Sequence, residues 1–467
     1  MFMKIKFLGA THQVTGSSYF LDAGGLKILV DCGLFQERDY SYRNWEQFPI
    51  PPEQIQYILL THVHLDHSGL IPKLAKEGFK GDILLTPPSK MLFPIVILDS
   101  ARIQEEDAAF KKERHAKEGR SGPHPENPLY TVKDAEKCLS LLKEIPYEET
   151  HSLNDRVKVR FHDAGHILGS AMIEVIVQDG NEQHNIIFSG DMGRWDQPLT
   201  NNPSVFDHAD YVVMESTYGD RSHDNSQDID DKLSKVVNDT INAGGNLLIP
   251  IFAVERAQEL LYHFNRLARM KRIPYVITFL DSPMAIEITK VFERCPADFG
   301  KEIQECFQNG QSPFEFPGLK LADSVEASKA INLIKGSTII LSGSGMITAG
   351  RIKHHLAREI TRPESTLLFV GYQAAGTLGR QILDGVSPVR ILGQTYPVRM
   401  KIEKIEAFSA HADMNDLERW LNNFKTPPEN VFLTHGEDEP IQSLERFIRS
   451  KAGWKVSAPA YLQEYDL

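Results

Sequence analysis

Residues 62–67 read His-Val-His-Leu-Asp-His and hold four candidate metal ligands in six positions. The run follows the apolar segment QYILL, so it stands where a strand opens into a loop. His62 and His64 alternate and can face one ion. Asp66 and His67 come one turn later and can face a second. Imidazole with carboxylate suits zinc and similar first-row metals. A solvated loop rich in histidine is the competing account, and three histidines plus an aspartate in this register weigh against it.

Two isolated residues gain meaning beside that run. His166 stands in DAGHILGSA and Asp191 in IIFSGDMG, each at the end of an apolar segment. Either one alone reads as a turn residue; with the cluster they read as further ligands. Asp31, in ILVDCG, also closes an apolar segment and is placed to orient a ligand histidine through its second ring nitrogen. A simple turn aspartate is the alternative.

These residues need strands to position them. MKIKFLGA, SSYFLDA and LKILVDCG are short and separated by turn residues, as in antiparallel strands. Residues 104–117 read as a charged helix, and SGPHPENP as a surface excursion. Strands return at VKVRFHDAGH, AMIEVIVQ, HNIIFSGD and ADYVVMES. After Glu215 the pattern changes. Ile229, Leu233, Val236, Val237 and Ile241 recur at helical spacing, and Gly244-Gly245 ends the run. Strand-like GNLLIPI, PYVITFLDS, STIILSGSG and STLLFVGYQ then alternate with helices such as 256–270, which implies a parallel sheet covered on both sides. VFLTHGE forms a strand in the closing segment.

Composition bounds the function classes. The 467 residues carry 51 Lys and Arg against 63 Asp and Glu, a net charge of −12. Such a chain does not coat nucleic acid through a broad basic face. A metal centre supplies its own positive charge, so hydrolysis at one stays open. Cys32, Cys138, Cys295 and Cys306 are scattered, which argues against disulfides and against a thiolate metal site. No stretch approaches the ~18–20 apolar residues of a membrane span. Cytoplasmic location is the expectation.

Taken in order, Asp31, the His62–His67 run, His166 and Asp191 resemble the successive motifs of the metallo-β-lactamase superfamily. Glu215-Ser216-Thr217-Tyr218-Gly219, Ser409-Ala410-His411-Ala412-Asp413 and Leu433-Thr434-His435-Gly436-Glu437 resemble motifs A, B and C of its β-CASP nucleases. Among these the chain is similar to prokaryotic relatives of the endonuclease subunit of the pre-mRNA 3′-end cleavage factor. The resemblance implies an α/β fold: a metallo-β-lactamase αββα sandwich with an inserted, doubly wound β-CASP cap domain. Residues 1–217 and 403–467 would form the sandwich, and 218–402 the cap. It places His62, His64 and His166 on one metal and Asp66, His67 and His435 on another, with Asp191 bridging. His411 is the expected general acid, oriented by Glu215.

The implied activity is zinc-dependent, two-metal hydrolysis of single-stranded RNA, with manganese as an alternative metal. An interdomain cleft would admit one strand, and homodimerisation is a possibility of the family. His435 favours RNA over DNA by family analogy alone. A DNA nuclease, a catalytically silent RNA-binding scaffold and a small-molecule hydrolase are the rivals, and the intact ligand set disfavours silence. In the cap, the loop from Ser342 through Ser344 to Arg351, together with Tyr372 and Arg380, is expected at substrate phosphate; an ordinary strand-to-helix turn is the alternative. Lys111, Lys112, Arg114, Lys117 and Arg120 form a basic strip that reads better as a solvated helix face.

Overall fold

A computed structural model describes every residue except 1–2, 120, 122–125, 224–228, 375 and 452. Arg120 of the basic strip therefore lies outside the described residues. The chain divides into two units, Met1–Ser222 with Ala410–Leu467, and His223–Ser409. The divisions have local causes. Met414 N–H donates to Arg221 O and Asn415 Nδ2 to Ser222 Oγ, which keeps 218–222 with the first unit. Strand Lys401–Lys404 pairs with Thr366–Phe369, which keeps that stretch with the second.

The first unit contains two seven-stranded sheets. One runs in the order Glu464–Asp466, Lys4–Phe7, Tyr19–Ala23, Leu26–Val30, Tyr57–Leu59, Asp82–Leu85, Leu142–Glu144. The other runs Val456–Ser457, Asn430–Thr434, Tyr211–Glu215, Glu182–Phe188, Ala171–Asp179, Val157–Asp163, Thr150–Ser152. Side-chain alternation explains the layering. Tyr211, Val213, Ile186, Phe188 and Phe432 face the first sheet, where Ile5, Phe7, Leu21 and Val30 complete one core. Val212, Met214, Ile187, Val431 and Leu433 face the other way, onto Leu417 and Trp420 of helix Met414–Leu421 and Leu444 and Ile448 of helix Asp438–Ser450. The apolar runs at the centre of these strands, such as Val212–Met214 and Val431–Leu433, are covered on both faces.

The charged helix expected at 104–117 is the second half of a 32-residue helix, Pro87–Glu118. It starts at a cap visible in the sequence: Thr86 Oγ1 accepts from Ser89 N–H, and Pro87 occupies the first turn. Its C-terminal half exposes Lys111, Lys112, Arg114 and Lys117, and Lys117 pairs with Glu113 at 2.6 Å.

The second unit has a six-stranded parallel sheet, in the order Leu319–Leu321, Ile277–Asp281, Thr338–Ser342, Leu247–Pro250, Thr366–Phe369, Lys401–Lys404. Helix Ile229–Asn242 leads into its first strand, and helices Arg256–Arg269, Pro283–Arg294 and Ile352–Glu359 connect later ones.

Candidate metal centre

Loops at the strand ends of the first unit bring the chemistry-bearing residues together. Strand Tyr57–Leu59 leads to His62, and His64 precedes the short helix Leu65–Ser68 that carries Asp66 and His67. Neighbouring backbone pins this loop: Ser17 N–H donates to Asp66 O at 2.8 Å, Cys32 N–H to His67 O at 2.7 Å, and Leu34 N–H to Leu65 O at 2.8 Å. Gly33 lets the segments meet, since a Cβ there would stand 1.6 Å from Asp66 O.

His166 and Asp191 follow strands of the second sheet. Glu215 ends one strand in register with Thr434 of the next, and His435 follows Thr434. Ala412 N–H donates to Met192 O at 2.7 Å and seats His411 beside Gly193. Asp31 and His435 both have positive φ, 57° and 51°. Left-handed backbone at non-glycine residues is uncommon and gathers at functional sites.

The donor atoms form two adjoining groups that share one carboxylate. In the first, His62 Nε2 lies 3.0 Å from His64 Nδ1, and His64 Nδ1 lies 3.3 Å from His166 Nε2. Asp191 Oδ2 is 3.4 Å from His62 Nε2 and 3.5 Å from His166 Nε2. In the second, His67 Nε2 is 3.3 Å from His435 Nε2 and 3.1 Å from Asp191 Oδ1. His435 Nε2 is 3.5 Å from Asp191 Oδ1 and 3.5 Å from Asp66 Oδ2.

Those spacings fit a cation. Bonds of ~2.0–2.1 Å arranged tetrahedrally give edges of ~3.3–3.4 Å. The buried Asp191 Oδ1 accepts no hydrogen bond, as a ligand oxygen would not. Burial, with help from neighbouring imidazoles, holds His62 and His166 well below the usual histidine range, and burial takes His64 down to about 4. All three rings are thus neutral at pH 7 and offer a lone pair. The cluster is built for a divalent metal.

Around the donors, other groups fix orientation. Asp31 is fully buried and accepts from Thr61 N–H and Thr61 Oγ1, each at 2.8 Å. His67 Nδ1 lies 2.7 Å from Asp31 Oδ2, which directs the opposite ring nitrogen to the cluster. His411 Nδ1 is 3.1 Å from Glu215 Oε2. Burial opposes its imidazolium, but Glu215 and Asp191 outweigh that and raise its pKa to about 9. Glu215 is itself held by Met192 N–H and by Thr217 Oγ1 at 2.6 Å. Sequence reading missed Thr217 and Met192. Thr217 carried a signal, standing two residues from Glu215 within one motif; a backbone N–H carries none.

The residues expected at substrate phosphate have partners within the second unit. Ser342 is buried and donates to Asp281 O at 3.0 Å. Arg351 donates to Asp281 Oδ1 at 2.8 Å and Ala322 O at 2.9 Å. Arg380 pairs with Asp384 at 2.9 Å, and Tyr372 is 44% exposed. The glycine-rich loop closes on itself: Ser344 Oγ accepts from Thr348 N–H and Ala349 N–H, Ile347 N–H donates to Ser344 O, and Ser344 N–H to Ala349 O. The N–H groups expected to be open for phosphate at those positions are therefore occupied.

The metallo-β-lactamase superfamily model matches residues 13–217, the β-CASP domain model 257–382, and the Zn-dependent metallo-hydrolase RNA specificity domain model 395–459. The chain is 36% identical to Ribonuclease TTHA0252 of Thermus thermophilus, over 97% of this chain and 98% of that protein.

The chain belongs to the β-CASP family of the metallo-β-lactamase superfamily.

It is also 31% identical to Transcription termination factor FttA of Methanosarcina mazei, over 100% of this chain and 72% of that protein. A crystal structure of a protein of unknown function from Enterococcus faecalis V583 shares the fold, with TM-score 0.54 and 12% identity over 100% of both chains. The two matched β-CASP and superfamily segments fall one in each unit, and every donor of the metal cluster lies in the sandwich unit. No helix among the described residues is long and apolar enough to cross a membrane.

Proposed function

We propose that this β-CASP protein is a zinc-dependent ribonuclease that hydrolyses phosphodiester bonds of single-stranded RNA at a two-metal centre. One observation carries the reading: two donor groups with the edge lengths of a zinc tetrahedron meet at the two oxygens of Asp191. Ribonuclease TTHA0252 by its name, and the RNA specificity domain match at 395–459, support RNA as substrate.

His62, His64, His166 and Asp191 would hold one ion, and Asp66, His67 and His435 with Asp191 the other; manganese is the alternative metal. Paired ions in such sites polarise a phosphoryl group and lower the pKa of water. The chain's own residues do the rest. Asp31 fixes the His67 ring so that one nitrogen points at the ion. Asp191 spaces the two groups. Glu215 holds His411 as an imidazolium, the form that can give its Nε2 proton to the departing 3′-oxygen. The products then carry 5′-phosphate and 3′-hydroxyl ends.

The test is incubation of metal-loaded protein with end-labelled single-stranded RNA beside a DNA strand of the same sequence. RNA should be cut and the DNA spared. Chelator and the Asp191→Ala variant should each abolish cutting, and the variant should contain little metal. RNA left intact by fully loaded protein would overturn the reading, and equal cutting of DNA would replace it with a general nuclease.

A further inference from the structure

Phe252 is a large apolar residue at the carboxyl edge of the parallel sheet, yet it is 36% exposed. It follows the central strand Leu247–Pro250, whose neighbours are Thr338–Ser342 and Thr366–Phe369. From Leu247–Pro250 the chain passes Thr338–Ser342 to reach Ile277–Asp281; from Thr338–Ser342 it passes Leu247–Pro250 to reach Thr366–Phe369, so the two connections run in opposite directions. Right-handed connections that run in opposite directions from adjacent strands leave by opposite faces and open a crevice at the carboxyl ends, where α/β sheets take ligands.

The ring is held there by backbone. A Cβ on Gly345 would stand 2.6 Å from its Cδ2 and Cε2 atoms, and one on Gly371 would stand 3.1 Å from Cε2. Both loops therefore lie against one ring edge, and a side chain at Gly345 would displace the ring. The buried Gln373 ties them together, donating from Nε2 to Gly345 O at 2.9 Å and Gly371 O at 3.3 Å. In the same connection, Glu255 directly precedes the helix Arg256–Arg269 and has φ 67° although it is buried. Non-glycine backbone in that region persists where the surroundings impose it.

We infer that Phe252 is a stacking platform for a nucleobase of the RNA strand, set by the Gly345 and Gly371 loops and locked by Gln373. This rests on the ribonuclease reading. The chemistry selects the occupant. Tyr372, also exposed, adjoins Gly371, and half-buried Ser344 adjoins Gly345, so each loop against the ring carries a polar side chain next to its glycine. A flat group with a π-face and polar edges suits that setting, whereas an apolar protein face does not. Stacking tolerates every base, so the platform positions a strand without reading its sequence.

The experiment uses the full, zinc-loaded chain and single-stranded RNA about a dozen nucleotides long. Phe252→Ala should raise KM about 5- to 100-fold with kcat changed less than about twofold. Phe252→Tyr should stay near the parent. Phe252→Leu fills the slot beside the glycines without a π-face and should behave like the Ala variant. The salt dependence of binding should stay unchanged, since stacking releases no counterions. In a His411→Ala background, which should keep its metal and cut slowly, Phe252→Trp should gain fluorescence that RNA quenches and an abasic strand does not.

A Leu variant equal to the parent, or a Trp at this position that RNA leaves unquenched, would overturn the platform. Should the Ala variant fail to fold, the Leu and Trp variants still decide. If the parent chain neither binds nor cuts RNA, the ribonuclease reading fails; if it does both and the Phe252 variants match it, only the platform fails.

Discussion

His67 Nδ1 and Asp31 Oδ2 are 2.7 Å apart and both fully enclosed. The carboxylate therefore decides which imidazole nitrogen faces the metal centre. Asp31→Asn keeps the shape and tolerates the left-handed backbone, but removes the charge. Metal affinity should fall about 10- to 100-fold, with circular dichroism unchanged. Titration against a competing chelator measures this, and an unchanged affinity would show that Asp31 serves only its turn.

His411 contributes differently from the donors around it. It touches Glu215 and stands at the rim of the cluster, with 22% of its side chain exposed. His411→Ala should retain the parent's metal content and lower turnover about 10²- to 10⁴-fold. Elemental analysis beside a single-turnover assay separates the two effects. Full activity in that variant would remove its role as proton donor.

Gly33 has no room for a side chain. A methyl there would meet Asp66 O at 1.6 Å and Ser17 N at 2.8 Å. Gly33→Ala should push the ligand loop outward, costing about 1–3 kcal/mol of stability as overpacking does. Thermal melting should show the loss, and metal content should drop with it because Asp66 and His67 move together.

Asp281 organises the second unit without touching the metal cluster. Its buried carboxylate meets His355 Nε2 at 2.6 Å, Ser328 Oγ at 2.7 Å and Arg351 Nη1 at 2.8 Å. Burial raises its pKa, and His355, Ser328 and Arg351 more than reverse that, leaving it below the ordinary 3.8. A depressed folded pKa gives stability that is complete above 3.8 and fades as pH falls through the lower, folded value. Asp281→Asn should therefore cost about 3 kcal/mol or more, equally at about pH 7 and pH 5. Melting curves of parent and variant should converge only below about pH 4.

How much of this was legible in the sequence depends on how far apart the partners stand along the chain. The His62–His67 run announces itself because its donors share one loop. His166 and Asp191 carry meaning only beside that run. Glu215, His411 and His435 were legible solely through family motifs, because the contacts that join them cross about two hundred residues. The strand pattern was readable where both faces are apolar, as in Tyr211–Glu215. The pairing of Glu464–Asp466 with Lys4–Phe7 was not, since short half-exposed strands carry little apolar signal. Only residues 104–117 of helix Pro87–Glu118 were read as helical; its first half carries prolines at 87, 88 and 94, a residue type that ordinarily interrupts helices, although the first two sit in the opening turn where no N–H is needed. For Ser342, Ser344 and Arg351, expected at substrate phosphate, residue types show what can bind, and only the fold shows that these side chains also have partners within their own unit, such as Asp281.

The segment 223–409 interrupts the sandwich unit before its last donors have been made. A polypeptide elongated only as far as Ser409 already contains His62, His64, Asp66, His67, His166 and Asp191, but neither His411 nor His435. Strand Asn430–Thr434, which flanks Glu215, is also still missing at that stage. Products that stop short of residue 411 therefore lack both the His411 side chain beside Glu215 and the His435 member of the second donor group, so the pair of donor groups is complete only after the inserted segment has been made.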